Sequence, residues 1–262
     1  MRIALASLNQ KWEQKTKNFI ACENLIKRAV EKKVDLIIFP EMTLTGFSMN
    51  ISGLAENFHS SDTLNLFKSL AKKYSINIIF GVILRHRKKI TNNAILVNAR
   101  GEIKLKYKKI HLFSFAFENK FFSPGNLLPI FRLRTLRLAL TICYDLRFPE
   151  LFGSLAKKCN LIINIANWPK SRINHWYTLL TARAIENQLF VIGVNRTGTD
   201  GNSIKYVSSS RIICPDGSNL KYTFKYRELS VFDVDVNLCS NYRKSFTTIR
   251  DRKIKLYKSL FG

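Results

Sequence analysis

Apolar runs five to nine residues long alternate along the chain with stretches whose apolar positions recur at helical spacing, the pattern of an α/β domain. Residues 3–8 predict a strand, 14–32 an amphipathic helix and 34–39 a second strand. A second helix is expected over 63–74, capped by Asp62. Strands follow at 76–84, 94–98 and 103–110, with a turn at 99–102. An aromatic-rich loop then covers 114–126 and ends in Pro124 and Gly125. Strands at 136–142, 161–166 and 190–195 accompany a helix over 175–188, and the tail carries β-like runs at 210–214, 220–224 and 229–236. This order fits a two-layer sheet sandwich flanked by helices, while periodicity leaves the strand order open. Neither an internal repeat nor a glycine-rich phosphate loop of the GxxxxGK or GxGxxG type occurs.

Three of the predicted strands lead into residues that carry chemistry. Cys143 follows the apolar run 136–142 and opens the polar segment CYDLRFPEL, Glu41 follows the run 34–40, and Lys109 lies late in 103–110. Ligands of open α/β sheets bind beyond the carboxyl ends of the strands, so three such ends can meet at one site. A thiol, a carboxylate and an ammonium together suggest acyl transfer through a thioester. A free cysteine with a pKa of about 8.5 is mostly protonated at neutral pH, so Glu41 is the candidate base for its proton. Lys109 and the backbone N–H of Tyr144 are candidates to hold the oxyanion, one such donor being worth about 3 kcal/mol. Ammonia or an amine would leave, and water activated by Glu41 would release the acid, with no metal or cofactor required. Taken singly, each residue has an ordinary explanation: Glu41 as a cap or solvated loop carboxylate, Lys109 as one exposed lysine among many, Cys143 as an inert buried thiol.

Composition narrows the setting. At 262 residues and 46% hydrophobic, the chain can fill the core of one domain spanning residues 1–262. No apolar stretch approaches the roughly 18 residues of a membrane span. The opening residues read as a strand without a signal-peptide cleavage pattern, and a cytoplasmic enzyme is the expectation. Five widely spaced cysteines without a CxxC pair fit neither a disulfide framework nor a zinc site. A formal charge of +25 would attract nucleic acid, anionic surfaces or acidic substrates. The basic residues are spread along the whole chain, however, and no nucleic-acid module accompanies them. A solvated basic surface is favoured over nucleic-acid binding.

The residues around the three candidates carry a resemblance. FPEMTLTGF (39–47), YKKIHLF (107–113) and CYDLRFPEL (143–151) resemble, in order, the three catalytic blocks of the carbon–nitrogen hydrolase (nitrilase) superfamily. The resemblance continues through ANWPKSRINHWYTLLTARAIENQ (166–188) and GVNRTGTDGN (193–202), and the combination looks most like the omega-amidase branch. It implies a four-layer α-β-β-α sandwich, with Glu41 as base, Lys109 as oxyanion stabiliser and Cys143 as nucleophile. Glu118 matches a second family glutamate that helps position lysine and substrate, although a surface loop carboxylate is the plain alternative. The resemblance also implies a homodimer packed through its helices. The expected substrate is a small carboxylate-bearing ω-amide such as 2-oxoglutaramate or 2-oxosuccinamate. A deaminated-glutathione amidase or another aliphatic amidase is the runner-up, and a basic, catalytically idle nucleic-acid-binding protein is the competing class.

Arg147, Asn167 and Trp168 fall in loops beside the predicted site. For Arg147 and Trp168, contact with substrate stands level with simple loop closure. His111 is expected to support the strand of Lys109, His175 and Trp176 to cap or pack a helix, and Arg183 to pair with Glu186 one helical turn on. One departure stands out. Where omega-amidase-like chains tend to carry Tyr-x-Gly-Asp-Ser, this one has Tyr206 followed by Val207, Ser208, Ser209 and Ser210. A glycine with positive φ there would make Ser208 alter the loop.

Overall fold

The computed structural model describes residues 1–260. In the first half, chain order gives β1 (Arg2–Ala6), α1 (Lys15–Glu31), β2 (Leu36–Ile38), α2 (Asp62–Lys73), β3 (Asn77–His86), β4 (Lys89–Val97) and β5 (Ile103–Lys108). The second half gives β6 (Ile130–Leu133), β7 (Leu136–Ile142), α3 (Pro149–Leu155), β8 (Leu161–Ala166), α4 (Ile173–Asn187) and β9 (Phe190–Asn195). Then come β10 (Arg211–Ile213), β11 (Phe224–Tyr226), β12 (Leu229–Asp233), α5 (Leu238–Ser245) and α6 (Ile254–Leu260). One sheet has the order β11-β12-β1-β2-β3-β4-β5 and the other β10-β9-β8-β7-β6. The strands β1, β2 and β3 run parallel, as do β7, β8 and β9.

Side-chain alternation explains why the strand runs are apolar throughout. Ile3, Leu5, Leu36 and Ile38 belong to the core that joins the sheets, whereas Ala4, Ala6 and Ile37 pack with the outer helices. A strand covered on both faces needs apolar residues at every position. On one side α1 buries Asn18, Cys22, Leu25, Ile26 and Ala29, and α2 buries Thr63, Leu64, Phe67, Leu70 and Ala71. Both sets follow the 3.6-residue stripe of an amphipathic helix. Phe67 stacks on Phe80 of β3 with ring centres 4.0 Å apart, and truncating such a buried ring to alanine costs about 3–5 kcal/mol. On the far side α4 lays Trp176, Leu180 and Ala184 against the second sheet. The layers are therefore helix, sheet, sheet, helix, the expected α-β-β-α sandwich.

Several boundaries differ from expectation. Ser61, not Asp62, caps α2 by accepting the Leu64 N–H at 3.1 Å. Asp62 is the first helical residue, where its charge suits the positive end of the helix dipole. Strand β4 starts at Lys89, because the polar run Thr91-Asn92-Asn93 that masks it is buried and hydrogen-bonded. Of the run at 220–224 only Phe224 falls within a strand, and beyond Val236 the tail turns helical as α5 and α6. Strand β6 and helix α3 were not anticipated; both are short, and α3 starts on Pro149 directly after the site loop.

Candidate active site

Glu41 stands just beyond β2 on a turn that is tied down from three sides. Gln10 Nε2 donates to the carbonyls of Glu41, Met42 and Thr43 at 3.0, 2.9 and 3.1 Å. Thr43 Oγ1 donates to Pro40 O at 2.7 Å and accepts the Gly81 N–H at 2.9 Å. Gly81 is required for this contact, since a Cβ there would lie 2.2 Å from the Met42 nitrogen. Lys109 leaves β5 with its N–H on Asn92 O and its carbonyl on the Gly125 N–H, at 2.9 and 2.8 Å. A Cβ on Gly125 would meet the Lys108 oxygen at 2.3 Å. Cys143 follows β7 directly and sits in the left-handed region at φ +44°, a conformation non-glycine residues hold only when their surroundings enforce it.

The three strand ends converge as expected. Lys109 Nζ lies 3.0 Å from Glu41 Oε1 and 2.8 Å from Glu118 Oε2, with all three side chains fully buried. Asn92 Nδ2 bridges the carboxylates, donating to Glu41 Oε1 at 2.8 Å and Glu118 Oε1 at 3.0 Å. The Phe113 N–H adds 2.7 Å to Glu118 Oε2, and the Asn167 N–H adds 3.0 Å to Glu41 Oε2. Cys143 Sγ reaches Asn167 O at 3.9 Å, so Asn167 joins thiol and carboxylate across the two sheets. Glu118 is thereby a partner of Lys109 and not a surface carboxylate.

Electrostatics sets the resting protonation. Burial pulls the Lys109 ammonium toward neutrality, but the charges of Glu118 and Glu41 outweigh it and hold its pKa above the ordinary lysine range. Burial pushes the Cys143 thiol well up, the charge of Glu41 adds to this, and Lys109 offsets part of it. Cys143 therefore rests as a thiol that needs a base before it can attack.

Behind these groups lies a hub that the sequence did not reveal. Fully buried Asp145 accepts from Ile142 N, Tyr107 Oη and His111 N at 2.9, 2.7 and 2.9 Å. His111 Nδ1 also lies 2.9 Å from it, and the imidazole stacks on Phe148 at 3.7 Å. Asp145 thus fastens the Cys143 turn to the segment that carries Lys109, and His111 supports that segment as expected. Arg183 does pair with Glu186, at 3.2 Å, and also donates to Leu146 O at 3.1 Å, which holds the same turn from α4. Trp176 is a packing residue whose indole N–H donates to Ser209 O at 3.0 Å.

Lys109, Cys143, Tyr144, Arg147, Asn167 and Trp168 all line one cavity of about 460 Å³, with Glu41 and Glu118 directly behind its floor. The Arg147 guanidinium lies over the Trp168 ring at 4.8 Å and contacts His175 Nδ1 at 3.3 Å. Ser208 does not have a positive φ, so its loop needs no glycine there. No cluster of three or more potential metal ligands occurs among the described residues.

Comparison with known proteins agrees with this geometry. A model of the carbon–nitrogen hydrolase family matches residues 2–244. An omega-amidase of Escherichia coli K12 is 35% identical over 83% of this chain and 84% of its own length. A 2-oxoglutaramate amidase of Bacillus subtilis is 32% identical over 86% of this chain and 88% of its own. A CN-hydrolase superfamily protein of Xanthomonas campestris, solved with an arsenic adduct in its active site, superposes with a TM-score of 0.90 at 28% identity, covering 97% of each chain. On fold, motif order and sequence match together, the chain belongs to the carbon–nitrogen hydrolase family.

Proposed function

We propose that the chain acts as a single carbon–nitrogen hydrolase domain that cleaves the ω-amide of small carboxylate-bearing amides to acid and ammonia. The observation that carries this reading is the fully buried Lys109, held between Glu41 and Glu118 at the floor of a cavity that Cys143 enters. Glu41 takes the Sγ proton as Sγ bonds to the amide carbon, a transfer of the kind worth about 10²–10⁴-fold in rate. Lys109 Nζ and the Tyr144 N–H receive the oxyanion. Collapse breaks the C–N bond, and the proton held by Glu41 leaves with ammonia, so that a thioester remains on Cys143. Water then gives its proton to Glu41 and attacks the thioester; the second collapse releases the acid, and Glu41 returns the proton to sulfur. Each step balances with these groups alone.

Asn167 and Trp168 shape the cavity wall, and Arg147 offers a cation to the far end of the substrate. The named activity of the Escherichia coli relative supports an ω-amide, and that of the Bacillus subtilis relative supports 2-oxoglutaramate as the reference substrate. A homodimer built on the exposed side of α3 and α4 is part of this proposal; Ile185 of α4 is exposed there. Sedimentation would check it. A cytoplasmic setting fits the five free cysteines, and no described helix is long and apolar enough to cross a membrane.

The deciding experiment measures ammonia release from a panel of ω-amides, 2-oxoglutaramate included, for wild type and Cys143→Ala. Release by the wild type that disappears in the folded variant supports the thiol amidase. Release that survives the substitution, or none from any amide, sinks it. Deaminated glutathione belongs in the panel, since a relative with that named activity is 31% identical over 98% of this chain. Preference for it would move the assignment within the same chemistry.

A further inference from the structure

Besides Arg147, a second guanidinium lines the cavity. Arg172 stands immediately before α4 and lies over the rings of Phe113 and Phe115, 5.6 and 5.8 Å from their centres. Neither Arg147 nor Arg172 forms an ion pair with a carboxylate among the described residues, although the acidic groups of the same cavity are occupied. Asp200 accepts from the N–H groups of Asn202 and Ile204 and from the Tyr206 hydroxyl, at 2.9, 3.0 and 2.8 Å. Glu13 accepts from Ser48 Oγ and from Asn50 Nδ2. Neither carboxylate has an ion-pair partner either, but both oxygens of each already accept from neutral donors, whereas the Arg172 guanidinium has no hydrogen-bond partner among the described residues.

Both arginines are set by one residue. Trp168 presents its ring to Arg147, while its indole N–H donates to the Arg172 carbonyl at 2.8 Å. Trp168 is itself held by Asn195, which accepts the Trp168 N–H at 2.7 Å and donates to its carbonyl at 2.9 Å. On the other side Phe113, under Arg172, donates its N–H to Glu118 at the floor. Arg172 is thus tied through Trp168 to the second sheet and through Phe113 to the lysine–glutamate cluster.

We propose that Arg172 is a specificity residue, which together with Arg147 forms a two-guanidinium clamp for the substrate's distal carboxylate. This rests on the ω-amidase reading and deepens it, because it names the group that selects an anionic amide over a neutral one. Planar guanidinium donors suit a carboxylate better than a point charge does, and the aromatic walls limit competition from water. The clamp acts away from the scissile bond, so its loss is felt in substrate selection more than in the chemical step.

The test pairs glutaramate with pentanamide, the same chain with methyl in place of carboxylate. Arg172→Gln is expected to lower the glutaramate-to-pentanamide ratio of kcat/KM by tenfold or more, the scale of about one hydrogen bond to a charged group, through KM and not kcat. Arg172→Lys, which keeps the charge and loses the fork, should restore part of the ratio. A second readout needs no turnover: the Kd of glutarate for the Cys143→Ala protein should rise about tenfold when Arg172→Gln is added. An unchanged ratio, both amides declining in step, or glutarate that fails to bind would overturn the clamp. Wild type that prefers pentanamide sinks the ω-amidase reading; wild type that prefers glutaramate, with Arg172→Gln keeping that preference, sinks only the role of Arg172.

Discussion

At the floor of the cavity Lys109, Glu41 and Glu118 are fully buried, and both carboxylates have hydrogen-bond donors on each oxygen. At the mouth Arg147 and Arg172 are half-buried, lie against aromatic rings and have no carboxylate partner among the described residues. The floor encloses its charges and fixes them before any substrate arrives, which suits stabilisation of an oxyanion in a low-dielectric site. The mouth keeps its charges available, which suits capture of an anion. Two kinds of positive charge therefore lie in one cavity, one committed and one free.

The sharpest way to break this contrast is to remove the committed cation. Lys109→Met leaves two buried carboxylates facing each other, and loss of one partner from a buried ion pair costs about 3–5 kcal/mol. Urea unfolding should show that loss, and hydrolysis should vanish. Adding Glu118→Gln should return part of the stability and none of the activity. Full stability in the single variant would mean that the floor is not the electrostatic unit described.

Next in size is Glu41→Gln, expected to lower kcat by about 10²–10⁴-fold. The same variant has a pH signature. Burial is the main cause of the raised Cys143 pKa and the charge of Glu41 is the second. Removing a negative charge beside the thiol favours thiolate, so the pH profile of Cys143 alkylation by iodoacetamide should move to lower pH while turnover falls. A profile that stays in place or moves to higher pH would separate Glu41 from the thiol. Asp145→Asn should have a smaller effect. The amide cannot accept from all four donors that surround Asp145, and each one left unsatisfied costs about 1–3 kcal/mol. We expect kcat to fall about tenfold with KM nearly unchanged, since Asp145 positions Cys143 and Lys109 without facing substrate.

The floor was legible in the sequence because each of its ionic groups lies within or close to a dense block at a strand end. Glu41 and Cys143 follow apolar runs and Lys109 ends an alternating one, and their strands, parallel or edge, finish at the same end of the sandwich. What completes the floor was not legible. Gln10, Gly81, Asn92 and Asp145 act through backbone carbonyls, close approach and bridging bonds, none of which leaves a periodic or compositional trace. Asn92 was hidden further, since its polar neighbours made the start of β4 read as loop. Arg172 had no signal either: among 43 lysines and arginines, a guanidinium that faces a cavity reads like one that faces water. The tail shows another limit, because the short β11 and the helix α5, which buries Cys239, gain their form from tertiary packing more than from local pattern.

The smallest predicted effects lie in the loop after Tyr206, and they separate two adjacent serines. Ser208 is exposed and its φ is not positive, so Ser208→Gly should change stability by no more than about 0.5 kcal/mol and leave the amide preference as it is. Ser209 is buried and accepts from Asn195 Nδ2 at 3.0 Å, the same amide group that donates to the Trp168 carbonyl. Ser209→Ala removes one of the bonds that hold Asn195, at a cost of about 1 kcal/mol. Because Trp168 carries Arg147 on its ring and holds Arg172 through its indole, the loosened support should reach the mouth as a rise in KM for carboxylate-bearing amides of about two- to threefold. The floor has no bond to Ser209, so kcat should hold. If kcat falls with KM unchanged, the loop supports the floor instead, and the division between committed and free charge would have to be redrawn through Asn195.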